Sequence, residues 1–241
     1  MWEGFRLALQ FLTRLQVHTE GATARDAAVA YYFYPAIGCA IGLAAVILRH
    51  AVMVAFPDSF SIVLIMAFLV WVTGGLHEDG LADVADGMGG GWTREERLRI
   101  MKDARIGAFA AVVVALCTLA KYAALTSMNP PRLDAAIVTA QILGRWAFLP
   151  LGYFSVNAHE GLGSEFAKRI DANTVVVTTV FSGAVVILMS RIFGALAFCV
   201  AIIIVASAAR YFRRRIGGVT GDCFGATFQF VEIATYAAFL T

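Results

Sequence analysis

Residues 174–190 read TVVVTTVFSGAVVILMS and residues 192–212 read IFGALAFCVAIIIVASAARYF, with Arg191 alone between them. A helix needs about 20 mainly apolar residues, at 1.5 Å each, to cross roughly 30 Å of hydrocarbon. Each stretch is close to that length, and the pair carries no charge between Arg191 and Arg210. Working outward, residues 33–56, 61–76, 107–127 and 133–154 pass the same test, and 223–241 is a less apolar seventh stretch holding Gln229 and Glu232. Pro35, Pro57, Pro130, Pro131 and Pro150 mark starts, stops or a kink in these runs. The pattern predicts an all-α, polytopic integral membrane protein with six to seven transmembrane helices, in one membrane-embedded domain over residues 1–241.

Composition agrees. Hydrophobic residues make up 60% of the chain and charged residues 15%, with a mean hydropathy of +0.75. Soluble domains carry roughly 45–50% and about 25%. A soluble chain of this balance would expose large apolar patches. Disorder, collagen-like repeats and a disulfide scaffold are excluded by the same figures, and a net charge of +2 gives no reason to expect nucleic acid. Cys39, Cys117, Cys199 and Cys223 show no CxxC spacing, and the first three lie in apolar runs, as packing residues do.

Residues 1–17 differ from the rest. Phe5, Leu9, Leu12 and Leu15 form an apolar stripe opposite Arg6, Gln10 and Arg14, without the apolar core or cleavage site of a signal peptide. The stripe predicts a retained amphipathic helix in the membrane interface, the alternative being a helix packed on protein. Orientation follows from the basic residues of the short loops. One side collects fourteen: Arg6, Arg14, Arg25, Arg94, Arg97, Arg99, Lys102, Arg105, Lys168, Arg169, Arg210, Arg213, Arg214 and Arg215. The other collects two, Arg132 and Arg191. The richer side is expected in the cytoplasm.

The chemistry concentrates on that side. Residues 74–87, GGLHEDGLADVADG, place Glu78, Asp79, Asp83 and Asp86 within nine positions. In a helix Asp79, Asp83 and Asp86 share one face, where their charges repel. A divalent cation would remove that repulsion, and oxygen-only ligands favour a hard ion such as Mg²⁺ held partly by substrate phosphates. A merely solvated acidic face is the weaker reading, because no base follows until Arg94. His77 beside the acids is a general base, a ligand, or an interfacial histidine bonded to a carbonyl. Thr93 with Glu95 and Glu96 starts a helix whose alternating charges, Arg97 among them, form a solvated face that anchors to lipid phosphates.

Lys102, Asp103 and Arg105 follow; cations beside a carboxylate cluster suit a phosphate ester, although anchoring alone also accounts for them. Residues 217–226, GGVTGDCFGA, are a glycine-rich turn before a helix, the arrangement in which backbone N–H groups converge on an anion. Asp222 there caps the helix or joins a metal shell. Glu232, about three turns further on, is expected to face the interior with Arg145 or Lys121 as partner, while Arg49 and His50 snorkel at the end of the first run. These groups fit metal-assisted transfer of a phosphate group at a membrane.

Three stretches also carry a resemblance: GLHEDGLADVADG at 75–87, IMKDARIG at 100–107 and GVTGDCFGA at 218–226, with FYPAIG at 33–38 before them. In order and spacing, along nearly the whole chain, they are similar to the cobalamin synthase family, the adenosylcobinamide-GDP ribazoletransferases. Glu78 stands where that family commonly has an apolar residue, and Ala104 where it commonly has serine. The resemblance implies a Mg²⁺-dependent enzyme of the bacterial inner membrane. Such an enzyme joins adenosylcobinamide-GDP to α-ribazole, or its 5′-phosphate, with release of GMP. Its implied partners are these substrates and the bilayer; docking of other enzymes of nucleotide-loop assembly and pairing of two copies are compatible with it.

On that reading Asp79, Asp83 and Asp86 serve the metal, and His77 or Asp86 takes the proton of the attacking hydroxyl. Lys102 and Arg105 clamp phosphate, with Asp103 orienting one of them. Gly80, Gly87, Gly218, Thr220, Gly221, Asp222 and Glu232 line the substrates. The main cytoplasmic loop spans about 75–107 and the glycine-rich one about 213–225. A CDP-alcohol phosphotransferase fits less well, since no arginine follows Asp79-Gly80 at the required place. A metal or small-solute transporter would carry its acids at mid-membrane in repeated halves.

Overall fold

Every residue from Ala136 to Gly152 is buried. That stretch belongs to helix α8 (Pro130–Phe154), the hub of a computed structural model that describes residues 1–19, 21, 23–156, 158 and 170–241. A helix apolar on all sides is stable only when packed on all sides, and α8 is covered by the rest of the bundle. Before it come α1 (Trp2–Leu12), α2 (Ala24–Ala30), a 3₁₀ turn (Tyr31–Phe33), α3 (Tyr34–Val52), α4 (Asp58–Thr73), α5 (Leu76–Gly90), α6 (Arg94–Ile100) and α7 (Ala108–Thr126). After it come α9 (Ala172–Ile216) and α10 (Gly221–Ala238). The regular elements among the described residues are all helices, in agreement with the expected class.

Four helices are long and apolar enough to cross a membrane: residues 24–52 taken together, α7, α8 and α9. The protein is thus a multi-pass membrane protein. α9 has 45 residues, about 68 Å if straight and roughly twice a membrane's thickness. It is not straight. Arg191 has φ 50° and ψ −120°, and a Cβ on Gly194 would lie 2.0 Å from the carbonyl oxygen of Val186. A Cβ on Gly183 would lie 2.9 Å from the ring of Phe198. The chain therefore doubles back at Arg191 into a tight antiparallel hairpin, and one continuous run holds the two crossings expected at 174–190 and 192–212. Trp146 of α8 joins both arms, donating to Thr179 Oγ1 at 2.9 Å with its ring 5.1 Å from Phe198.

Other expectations need correction. The stretch at 61–76 stops sooner than expected, since α4 ends at Thr73; it runs from the Asp58 end of the bundle to the Val72 end and passes the length test only together with α5, to which it is bent by 87°. The stretch at 223–241 does not pass the composition test, because α10 carries polar residues that face inward, although it runs from the α5 end of the bundle to Phe193 beside the Arg191 turn. The N-terminal helix stops at Leu12 rather than near 17, and Leu15 lies beyond it, exposed. Its buried residues are Gly4, Ala8 and Leu12. Gly4 lets α2 come close, since a Cβ there would lie 2.7 Å from the side chain of Val29; the helix packs on protein. Arg49 does not snorkel. It is fully buried, its guanidinium 2.7 Å from Asp134 and 3.1 Å from Asp58, and His50 pairs with the second Asp134 oxygen at 2.8 Å.

The loops sort to two ends. At one, Arg14 N–H donates to Val72 O at 2.8 Å, and Arg94 donates to Ile216 O at 2.8 Å and Ala158 O at 2.7 Å. Val219 exchanges backbone bonds with Val156 and Ala158. At the other lie the Arg49 cluster and Arg132, stacked 4.4 Å over the Phe193 ring. The basic loops that the alternation groups together thus share one end, save that Lys168 and Arg169 lie outside the described residues.

Candidate active site

Gly74 and Gly75 both adopt positive φ, +69° and +73°, which L side chains avoid. They end α4 and turn the chain so that α5 lies across the end of the bundle. His77, Gly80, Leu81, Val84 and Gly87 form its buried side, leaving Asp79, Asp83 and Asp86 on the outer one. The α5 acids are not alone there. A Cβ on Gly80 would lie 2.8 Å from Asp222 O, and one on Gly225 3.2 Å from His77 Cα. α5 and α10 are therefore almost in backbone contact, and this brings Asp222 to the α5 face. Burial, followed by the charges of Asp222, Asp79 and Asp86, pushes the Asp83 carboxyl up to about 7.

Asp86 has a further engagement. Its carboxylate accepts the N–H of Gly107 at 2.6 Å and of Ala110 at 2.9 Å, capping α7 from outside its own chain segment. This fastens residues 102–107 beside the acidic face. Within them, Arg105 donates to both oxygens of Asp103 at 3.0 and 2.7 Å. The pairing holds Asp103 down at about 2. Lys102 and Arg105 are exposed, so both can reach a large ligand. Among the described residues no three His, Cys, Asp or Glu side chains converge closely enough to ligate one ion unaided. The donors present are carboxylates only, which suits Mg²⁺ shared with substrate phosphates.

The remaining expected residues scatter. Gly87 is buried, with Met101 and the Arg97 backbone where a side chain would be. Gly218 and Thr220 are buried too; Thr220 takes part in the cap of α10 and its hydroxyl donates to Asp222 Oδ2 at 3.2 Å. Gly221 is exposed, with open space around it. α6 has no buried residue, as a solvated face requires, but two of its arginines are also engaged: Arg94 ties α6 to two loops, and Arg97 donates to Arg215 O at 3.1 Å.

His77 faces away from the acids. It is 2% exposed, stacked 3.9 Å from the Phe228 ring, and neither ring nitrogen has a hydrogen-bond partner among the described residues. Burial, with the Arg145 and Lys121 charges nearby, holds its pKa well below the usual value, so the ring is neutral.

Glu232 faces the interior as expected, and both suggested partners are there. Lys121 pairs with it directly at 2.5 Å. Arg145 reaches it through Gln141, donating to Gln141 Oε1 at 2.7 Å while Gln141 donates to Glu232 Oε1 at 2.8 Å. Tyr236 adds a third bond at 3.0 Å. Gln141 and Tyr236 were missed from sequence; an amide within an apolar run, and a tyrosine one turn from Glu232, were the available signals.

The chain matches the model of the cobalamin-5-phosphate synthase family over residues 4–240. It is 36% identical over 244 residues to the adenosylcobinamide-GDP ribazoletransferase of Ralstonia pickettii, covering 96% of this chain and 93% of that one. The protein of the same name from Leptothrix cholodnii is 36% identical over 251 residues, with 98% and 94% covered. That from Syntrophobacter fumaroxidans is 32% identical over 243 residues, with 99% and 98% covered. No solved structure matches. With alignment running from the first helix to the last, the chain belongs to the cobalamin-5-phosphate synthase family.

Proposed function

We propose that the protein is an adenosylcobinamide-GDP ribazoletransferase of the bacterial inner membrane, working on α-ribazole or its 5′-phosphate with its acidic face toward the cytoplasm. The observation that carries this reading is the packing of Gly80 on the Asp222 backbone, which sets a carboxylate of α10 near the Asp79 and Asp83 face at the bundle end where the basic loops converge. A ribose hydroxyl of ribazole attacks the phosphorus attached to cobinamide, the bond from that phosphorus to the bridging oxygen of the anhydride breaks, and GMP leaves with the bridging oxygen. Mg²⁺ would be held by Asp79 and Asp83, with Asp222 as a further carboxylate of that face, and would supply neutralisation of charge on the diphosphate.

Lys102 and Arg105 hold phosphate oxygens from the exposed loop, Arg105 exchanging Asp103 for substrate. Asp86 takes the hydroxyl proton. Each of its oxygens accepts one N–H, which leaves acceptor capacity, whereas His77 is sealed from that face. Gly80 and Gly87 contribute by close packing, and Gly218, Thr220 and Gly221 by holding the start of α10. The orientation rests on the basic loops, which favour the cytoplasm. The test is purified protein in lipid with adenosylcobinamide-GDP, α-ribazole and Mg²⁺, scored by mass for the joined cobamide and for GMP. Asp79→Asn and Asp83→Asn should each abolish product without loss of fold. Near-normal turnover in either would remove that residue from the metal.

A further inference from the structure

Behind the acidic face, the Lys121–Glu232 pair forms the floor of an interior cavity of about 590 Å³, within the ~300–1,000 Å³ of small-molecule sites. Its mouth lies between α4 and α7, where Val63, Val70 and Leu119 also form the outer surface. Those helices face lipid, so the mouth opens toward the bilayer. A second cleft of about 700 Å³ is lined by Asp79. Thr73 and Glu78 line both cavities. The interior space therefore adjoins the acidic cleft through a shared wall at Glu78.

The interior carries unmet hydrogen-bonding capacity. Among the described residues, neither nitrogen of His77, which is 2% exposed and lines it, is paired, and Glu78 Oε2 has no partner. Leaving such groups buried and unpaired is costly. A lipid acyl chain would fill the apolar mouth and leave them unpaired. Lys121 and Glu232 neutralise each other and buried Arg145 balances Glu78, which disfavours a charged ligand. Phe228, Tyr122 and Tyr236 supply ring surfaces. The complementary ligand is a flat, uncharged heteroaromatic ring with a nitrogen acceptor, attached to a hydroxyl-bearing group that reaches Glu78.

Resting on the function proposed above, we infer that this cavity is the acceptor subsite: it takes the benzimidazole base of α-ribazole inside the bundle and presents the ribose, past Glu78, to the Asp79 cleft. His77 is then a binding residue that donates to or accepts from the base. The nucleotide substrate stays outside, on the acidic face and the basic loop.

Ala67 and Thr118 are small, exposed lining residues on α4 and α7, the two helices at the mouth, and the Thr118 hydroxyl is spent on Val114 O. Ala67→Phe and Thr118→Phe therefore narrow the cavity from two sides without touching its polar floor. The experiment is equilibrium binding of α-ribazole and, separately, of adenosylcobinamide-GDP to full-length protein in nanodiscs, with melting temperature and turnover recorded in parallel. Each variant should weaken α-ribazole by about tenfold or more, leave the cobinamide nucleotide within about twofold, and keep its melting temperature. The loss should shrink for the riboside of plain imidazole, which is smaller. Unchanged α-ribazole affinity in both folded variants, or equal losses for the large and small ribosides, would overturn the subsite. Wild-type protein that makes no cobamide would overturn the functional reading itself, whereas normal wild-type turnover with indifferent variants defeats the subsite alone.

Discussion

Asp83 sits among three other carboxylates, and its proton is a measure of their crowding. Its folded pKa, about 7, lies above the ~3.9 of an unfolded aspartate. The folded state thus binds more protons between those values. Metal-free protein should be most stable below about pH 4 with respect to this group, and should lose that contribution as pH rises through about 7. Thermal melts from pH 5 to 8 in chelator should show the decline, and Asp83→Asn should flatten it. Added Mg²⁺ should raise the melting temperature more at pH 8 than at pH 6, because a ligand carboxylate must be ionised. A slope unaltered in Asp83→Asn would place the titration elsewhere. The shared face of Asp79, Asp83 and Asp86 was legible from spacing alone. The capping of α7 by Asp86 was not, since that bond joins residues 21 positions apart. Deeper in, Lys121→Met should cost about 3–5 kcal/mol by leaving Glu232 buried without its cation, and Lys121→Met with Glu232→Met should recover much of it. Guanidinium or thermal unfolding in detergent reads both.

At the level of helices, the packing of α5 on α10 depends on glycine where two backbones meet. Gly80→Ala would drive a Cβ to 2.8 Å from Asp222 O, an atom that cannot swing aside. Overpacking of this kind costs about 1–3 kcal/mol, and the shift should separate Asp222 from Asp83. We expect lower melting temperature together with weakened Mg²⁺ binding. Gly221→Ala, with open space around it, should leave the melting temperature within about a degree or raise it slightly. Equal effects at the two positions would mean that the helices can separate without consequence. From sequence Gly80 read as a residue that lines the substrates; in the structure its missing Cβ makes room for another helix. Nothing local distinguishes the two, because a missing Cβ does not say what fills its place. The hairpin at Arg191 was legible, since a charge flanked by two near-membrane-length apolar runs has nowhere to sit but a turn.

For the molecule as a whole, cysteine labelling in intact cells tests the two-ended arrangement. In a background free of the native cysteines, Trp92→Cys and Arg214→Cys should be shielded from an impermeant outside reagent, and Ser127→Cys should react. Reaction at 92 with protection at 127 would invert the protein and turn the acidic face from the cytoplasm. The grouping of loops was legible because charge accumulates on alternate connections. The interior cavity was not, since its lining comes from five helices whose polar residues look isolated along the chain. The closeness of α5 to α10 bears also on synthesis. Gly80 and Asp222 touch, yet 142 positions separate them. At about 5–20 residues per second, the ribosome works on the order of ten seconds or more between the two. Through that interval the α5 acids are already at the membrane, without their counterpart. On the function proposed above, a nascent chain should therefore be unable to spend activated nucleotide before α10 arrives, and arrest short of it should leave an inert product rather than a leaky hydrolase.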